Sequence, residues 1–190
     1  MRCFFCDEFC LLDFCDFCYE QLKDLELGCR NYNGFRVYSF YKFNSIKHIL
    51  HKKHNFAGYF VYKFLANLSF KRFEDFFKLD FITNAIPLDD KVERLLYSHS
   101  AILARALKSN YIKPIYNAIK AQNNVKYQGQ NLEFRQKNKR KYKLLKPIKH
   151  PVILVDDIIT TGSSILEAKE LLNKNHIETI FALVLADAKE

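Results

Sequence analysis

Residues 152–164 read Val152-Ile153-Leu154-Val155-Asp156-Asp157-Ile158-Ile159-Thr160-Thr161-Gly162-Ser163-Ser164. The opening run, Val152 to Val155, is continuously apolar and rich in β-branched residues, as a strand buried on both faces of a parallel sheet requires. Two acids follow at once, at the carboxyl edge where open α/β sheets bind ligands. Thr160 to Ser164 is small and hydroxylated and contains one glycine. Beyond it Ile165, Leu166, Ala168, Leu171 and Leu172 mark one side of a helix that ends near Asn175-His176. A second apolar run, Ile180 to Ala186, supplies the next strand. The stretch therefore predicts a strand–loop–helix–strand unit.

A helix N-terminus offers unpaired amides and the positive end of the helix dipole. With threonine and serine hydroxyls and a glycine that lets the backbone come close, the loop is a cradle for a phosphate monoester. Carboxylates only accept hydrogen bonds when ionised, so Asp156 and Asp157 suit sugar hydroxyls or an organised Mg²⁺ rather than the phosphate itself. Acid pair and loop together predict a ribose 5-phosphate site. The plainer alternative is a capped helix, with Ser164 and Glu167 as a capping box, but it leaves two adjacent carboxylates at a buried strand end unexplained. Neither GxxxxGKS nor GxGxxG occurs, so triphosphate and dinucleotide loops are not indicated.

Working outward from this unit, charge is unevenly distributed. The chain has 190 residues and a formal net charge of +9, yet residues 1–30 carry −4, residues 151–190 carry −4, and residues 31–150 carry +17. A body of that sign suits a polyanion, because neutralised phosphates release condensed counterions; a solvated lysine-rich surface is the alternative. The densest run is Lys137-Asn138-Lys139-Arg140-Lys141-Tyr142-Lys143. It lies in a long polar stretch, residues 109–150, with a single helix candidate near Ile115 to Ala121. So long a stretch suggests a mobile active-site flap or ligand-binding loop, with plain disorder as the alternative.

All six cysteines lie in the first 29 residues. Cys3/Cys6 and Cys15/Cys18 have CxxC spacing, and two such turns complete a tetrahedral sulfur site. Structural zinc is the expected metal, an iron–sulfur cluster the alternative; Cys10 and Cys29 remain possible substitutes within the set. Asp7 and Tyr19 stand where a zinc knuckle ordinarily has glycine. A metal held here would supply much of the folding energy of a thirty-residue segment too small for its own core. The Asn31-Tyr32-Asn33-Gly34 turn signal sets the expected boundary, giving a metal module at 1–32 and a main domain at 33–190. Between these landmarks, Phe35 to Phe43 reads as strand. Ser45 to Leu50, Phe56 to Leu68 and Ser98 to Leu107 read as helices, and Asp80 to Ile86 as a buried strand stopped by Pro87. His51-Lys52-Lys53-His54 reads as a solvated or phosphate-contacting link. No apolar run approaches the ~18 residues that span a bilayer. The N-terminus lacks a signal-peptide pattern, so a cytoplasmic protein is expected.

The 152–164 stretch resembles the phosphoribosyl pyrophosphate (PRPP) fingerprint of type I phosphoribosyltransferases across all 13 residues. The resemblance implies an α/β fold with a parallel sheet flanked by helices. It also implies ribose contacts by Asp156 and Asp157, a 5-phosphate loop of Thr160, Thr161, Gly162, Ser163 and Ser164, and Mg²⁺ accompanying PRPP. Joined to the double CxxC of Cys3, Cys6, Cys15 and Cys18, it resembles the ComF/ComFC family of competence proteins, with a small N-terminal zinc finger of four cysteines. Gln128, Arg135 and Asn138 resemble that family's Q…R…N pattern, and Ala85-Ile86-Pro87-Leu88 its VPVPL-like segment. The RGFN-like segment is absent: Leu95-Leu96-Tyr97-Ser98-His99-Ser100 stands there, with Arg94 supplying part of the charge. That resemblance implies handling of single-stranded DNA in natural transformation, together with other uptake or recombination proteins. The basic stretch Arg135, Lys137, Lys139, Arg140, Lys141, Tyr142 and Lys143 is then the candidate DNA contact, with Tyr127, Phe134 and Tyr142 as stacking candidates. A nucleotide-salvage transferase and a non-catalytic adaptor with a relic PRPP motif are the rival readings.

Overall fold

The computed structural model describes residues 2–11, 13–50, 57–88, 97–122 and 140–189. Among these, six strands form one sheet in the order β1-β2-β8-β7-β3-β4. They are β1 (Gly28–Tyr32), β2 (Phe35–Lys42), β3 (Thr83–Pro87), β4 (Ile112–Pro114), β7 (Val152–Ile159) and β8 (Thr179–Asp187). All neighbours run parallel except the β1/β2 pair. Two further strands, β5 (Ile119–Ala121) and β6 (Tyr142–Leu144), pair antiparallel on their own. The expected α/β architecture, a mostly parallel sheet flanked by helices, is present.

The helices are α1 (Asp16–Lys23), α2 (Phe43–Leu50), α3 (Ala57–Leu68), α4 (Phe73–Phe76), α5 (His99–Ala106) and α6 (Ser163–Lys174). They cover both faces of the sheet, which explains why its central strands lack an alternating polar face. Side chains of a strand point alternately to opposite faces. Ile153, Val155, Leu183 and Leu185 accordingly join one core with Leu65, Val61 and Leu103 of α3 and α5. Val152, Leu154, Ala182 and Val184 join the other with Ile165, Ala168 and Leu172 of α6.

The order of the strands locates the ligand edge. From β7 the chain moves to β8 on one side; from β3 it moves to β4 on the other. The crevice between the carboxyl ends of β7 and β3 is therefore the topological switch point, where doubly wound sheets bind ligands. Val155 pairs with Pro87, the last residue of β3, so Asp156 is the first residue of β7 to project beyond its neighbour on that side.

Two local expectations are corrected. The helix expected near Ile115 to Ala121 is absent: Asn117 takes a left-handed φ of 52°, which a helix cannot continue through, and Ile119–Ala121 becomes β5. The strand at 152 does not stop at Val155 but runs to Ile159, because Ile158 and Ile159 pair with Ala186 and Asp187 of β8; both acids are strand residues. The expected boundary at 32/33 falls inside the β1/β2 hairpin. There Asn33 and Gly34 both have positive φ, 52° and 88°, as a type I′ turn demands, and Asn31 Oδ1 accepts the Gly34 amide at 2.7 Å. No helix among the described residues is long and apolar enough to cross a membrane.

Candidate functional site

At the carboxyl end of β7 the chain turns through Thr160–Gly162 into α6. Gly162 is the N-cap, with φ +81°, a conformation that side-chain-bearing residues rarely adopt. Its carbonyl accepts the Leu166 amide at 2.9 Å. Thr161 and Ser163 share a hydroxyl–hydroxyl hydrogen bond of 2.8 Å. Asp156, Thr160, Thr161, Gly162, Ser163 and Ser164 line one small concavity with Ile158, Ile159 and Ile165. The first-turn amides of α6, which have no acceptor within the helix, thus stand beside hydroxyls and one carboxylate. An anion is the ligand such a set of donors suits.

The capped-helix alternative fails on geometry. Gly162 provides no side-chain cap, and the Glu167 carboxylate accepts the backbone amide of Arg140 at 2.8 Å instead of capping its own helix. That contact ties the start of β6 to α6.

The two acids separate across the sheet. Asp156 lies on the α6 side and lines the concavity. Asp157 has the opposite parity and faces α3, where the Tyr62 hydroxyl donates to its Oδ2 at 3.2 Å. Burial, reinforced by the negative charge of Asp157, holds the Tyr62 hydroxyl well above the ordinary tyrosine range, so it remains a donor. The acids also order the backbone ahead of them. Asp156 Oδ1 accepts the Asp157 amide at 2.9 Å and Asp157 Oδ1 accepts the Ile158 amide at 2.8 Å.

Behind the loop stand residues that the sequence did not single out. Arg30, on β1, makes a two-pronged ion pair with Asp187 at the end of β8, its Nε lying 2.5 Å from Oδ2. Its Nη1 donates to the Thr160 carbonyl at 2.5 Å. Tyr32 Oη donates to the Thr161 carbonyl at 3.3 Å. A Cβ on Gly162 would lie 2.7 Å from the Tyr32 ring, so the loop backbone rests directly on that ring. Asp187 ends an apolar strand and is buried to 1 % exposure, as an acid is only when it has a charged partner.

At the other end of the chain, the thiols of Cys3, Cys6, Cys15 and Cys18 gather so that all four sulfurs lie within 4.8 Å of one another. The Cys6 and Cys15 sulfurs are 3.7 Å apart, close to the spacing of two thiolates bound ~2.3 Å from one tetrahedral ion. Cys10 and Cys29 lie outside this group. Glycine is not needed at the first knuckle because Asp7 itself adopts a left-handed φ of 63°. At the second knuckle α1 begins directly after Cys15, so Tyr19 is helical. Burial pushes the Cys3 thiol up, but amides from Cys6, Cys15 and Phe5 and the Cys6 thiol outweigh it and bring it down to about 6. Burial and the three neighbouring cysteines push Cys18 the other way. Four thiolates do not ionise side by side without a cation, so the donor set fits a metal ion. The segment also packs on the main body: Phe14 stacks on Phe64 of α3 at 3.7 Å, and Cys3, Cys18 and Leu22 belong to the α3 core.

Of the basic stretch, Arg140, Lys141, Tyr142 and Lys143 are described. Tyr142 is corrected as a stacking candidate: it is 8 % exposed and packs with Ala118, Ile119 and Ile165, so its faces are covered. Lys141 and Lys143 are exposed. Arg135, Lys137 and Lys139, the Gln128 and Asn138 pattern residues, Tyr127, Phe134, Arg94 and the 51–54 link lie outside the described residues. The β5/β6 pairing brings Gln122 and Arg140 together, the Gln122 amide donating to the Arg140 carbonyl at 3.1 Å, beside Glu167 of α6.

No curated protein matches the chain. Residues 100–190, which carry β7, the loop, α6 and β8, match the family model described as "Phosphoribosyl transferase domain".

Proposed function

We propose that the protein binds PRPP at the end of β7, and that it binds single-stranded DNA as a cytoplasmic component of natural transformation. The observation that carries the first part is the concavity in which Asp156 and the Thr160–Ser164 loop meet, inside the span that matches the phosphoribosyl transferase domain. In this reading Thr160, Thr161, Gly162, Ser163 and Ser164 hold the 5-phosphate through amides and hydroxyls. Asp156 accepts from a ribose hydroxyl, and Asp157, oriented by Tyr62, serves the sugar from the other side. Mg²⁺ would arrive with the pyrophosphate and neutralise its charge; the carboxylates near the loop are the residues suited to it.

The DNA reading is supported by the +17 body and by the exposure of Lys141 and Lys143. The competence role rests on the joint resemblance of the fingerprint and the cysteine pairs. Zinc is the metal proposed for Cys3, Cys6, Cys15 and Cys18, in a structural role, since four protein thiolates leave no open position for water. Residues 1–32 are proposed as its module.

Calorimetry with PRPP and Mg²⁺ tests the site. Asp156→Ala/Asp157→Ala is expected to lose binding that the unaltered protein shows; equal affinity in both would remove the assignment. Oligonucleotide binding that weakens steeply with salt is expected for the DNA reading, and a flat salt response would refute its electrostatic basis. The match to a transferase domain favours one second reading, phosphoribosyl transfer to a base. Release of pyrophosphate from PRPP in the presence of common nucleobases would establish it.

A further inference from the structure

Resting on the reading of Thr160–Ser164 as an anion cradle, we propose that Arg30 and Tyr32 are positioning residues for that loop, anchored by Asp187. The argument is one of peptide orientation. In a trans peptide the carbonyl and the amide of one unit point in opposite directions, and no cis peptide occurs among the described residues. The Thr160 carbonyl is held by Arg30 and the Thr161 carbonyl by Tyr32. The amides of Thr161 and Gly162, which belong to those same two peptide units, are thereby aimed away from β1, toward the side where the anion is met.

Several features of the device suit it to this purpose. Arg30 and Tyr32 are two residues apart on β1, hence on one face, while Cys29 and Asn31 point out to solvent. Arg30 uses its planar fork to bridge a carboxylate and a carbonyl at once, a task that lysine, with a single ammonium, performs poorly. Its charge is matched by Asp187, whose side chain is 2 % exposed, so the guanidinium orients the loop without itself acting as the phosphate's counter-ion. Asp187 in turn is fixed, because it pairs with Ile159 across the β7/β8 ladder and accepts the Lys189 amide at 2.9 Å. Tyr32 completes the clamp from below: it donates to Thr161 and its ring takes the space that only a glycine at 162 leaves open. A strand early in the chain therefore sets the loop geometry of a unit about 130 residues later, as the Arg30–Thr160 separation shows.

The test uses Tyr32→Phe, which keeps the ring beneath Gly162 and removes only the hydroxyl, and Arg30→Lys, which keeps the charge opposite Asp187 and removes the fork. Arg30→Met/Asp187→Asn serves as the variant without a buried unpaired charge should Arg30→Lys fail to fold. Two readouts are taken. Amide hydrogen exchange on the ligand-free protein is expected to speed up roughly fivefold at 160–164, the effect of one lost hydrogen bond, while β3 and β8 stay protected. Calorimetry is expected to show PRPP and inorganic phosphate weakened by the same factor, whereas Asp156→Asn weakens PRPP alone. Wild-type exchange at 160–164 in Tyr32→Phe, or an increase spread equally over the whole sheet, would overturn the clamp. If the unaltered protein binds no PRPP, the ligand reading falls, and the exchange measurement still decides whether Arg30 and Tyr32 hold the loop.

Discussion

The cysteine cluster and the loop after β7 are both small, polar and built to meet charge, yet they are held in opposite ways. The cluster is local. Its four thiols come from 16 consecutive positions, and the geometry is set by two short turns and the start of α1. The loop is supported from a distance: Arg30 reaches Thr160 and Asp187 across 130 and 157 residues, and Tyr62 reaches Asp157 across 95. A site closed by an ion can be assembled from a short segment, because sulfur–metal bonds replace a core. In the loop, by contrast, the Thr160 and Thr161 carbonyls are held by side chains from β1, so the direction of its amides depends on long-range contacts.

If the four cysteines hold the proposed zinc, removing it is the strongest way to break this contrast. A structural zinc supplies on the order of 10 kcal/mol to the segment it closes. Cys3→Ser and Cys18→Ser are expected to lose bound metal, measured by elemental analysis, and to open residues 2–27 to proteolysis. If hydrogen exchange at 160–164 stays at its original rate, the two regions are independent. If it rises, the segment reaches the loop through β1, which follows it directly.

Removing the anchor comes next. Asp187→Ala leaves the Arg30 guanidinium, 14 % exposed, without its counter-charge, and breaking a buried pair costs about 3–5 kcal/mol. Urea unfolding is expected to show that loss, and Arg30→Met/Asp187→Asn to recover most of it. A single-variant loss below about 1 kcal/mol, the range of exposed pairs, would mean that solvent reaches the pair.

Gly162→Ala follows. Its cost combines a left-handed φ, about 1 kcal/mol, with overlap against the Tyr32 ring, giving about 2–3 kcal/mol in all. Tyr32→Ala in the same chain is expected to remove the overlap and leave the φ cost. Thermal unfolding of the two singles and the double separates these parts.

The same contrast explains what could be read from the sequence. The strand–loop–helix–strand unit was legible because Val152–Val155 and Ile180–Ala186 are apolar beyond any surface role and the loop between them is compositionally unlike either. The four cysteines were legible because CxxC spacing is itself geometry, and the structure separates Cys10 and Cys29 from the set. The clamp was not legible: nothing near Arg30 distinguishes it from other surface cations, and its partner is found only once β1 and β8 are known to flank β2. The separation of the two acids was half legible. Strand alternation would have placed Asp156 and Asp157 on opposite faces, had Ile158 and Ile159 been read as strand rather than as loop. The helix expected at 115–121 failed because a left-handed asparagine carries no marker that distinguishes Asn117 from a helical one.

The smallest effect concerns Tyr62, the contact that holds Asp157 from the α3 side. Its hydroxyl is a donor only while protonated, and burial together with Asp157 raises its proton affinity in the folded chain. The folded value lies above the unfolded one, so the stabilising contribution is complete below the ordinary tyrosine value near 10 and is lost as pH rises above it. The loss from this phenol grows as pH climbs above that ordinary value. Tyr41, buried by the same core and donating to the Leu22 carbonyl at 2.7 Å, is raised in the same direction and adds a parallel loss. Urea midpoints measured from pH 8 to 11 are therefore expected to fall in the unaltered protein and to fall less in Tyr62→Phe, which at pH 8 is itself weaker by about 1 kcal/mol for the missing hydrogen bond. Parallel curves for the two proteins would mean that Tyr62 titrates alike folded and unfolded.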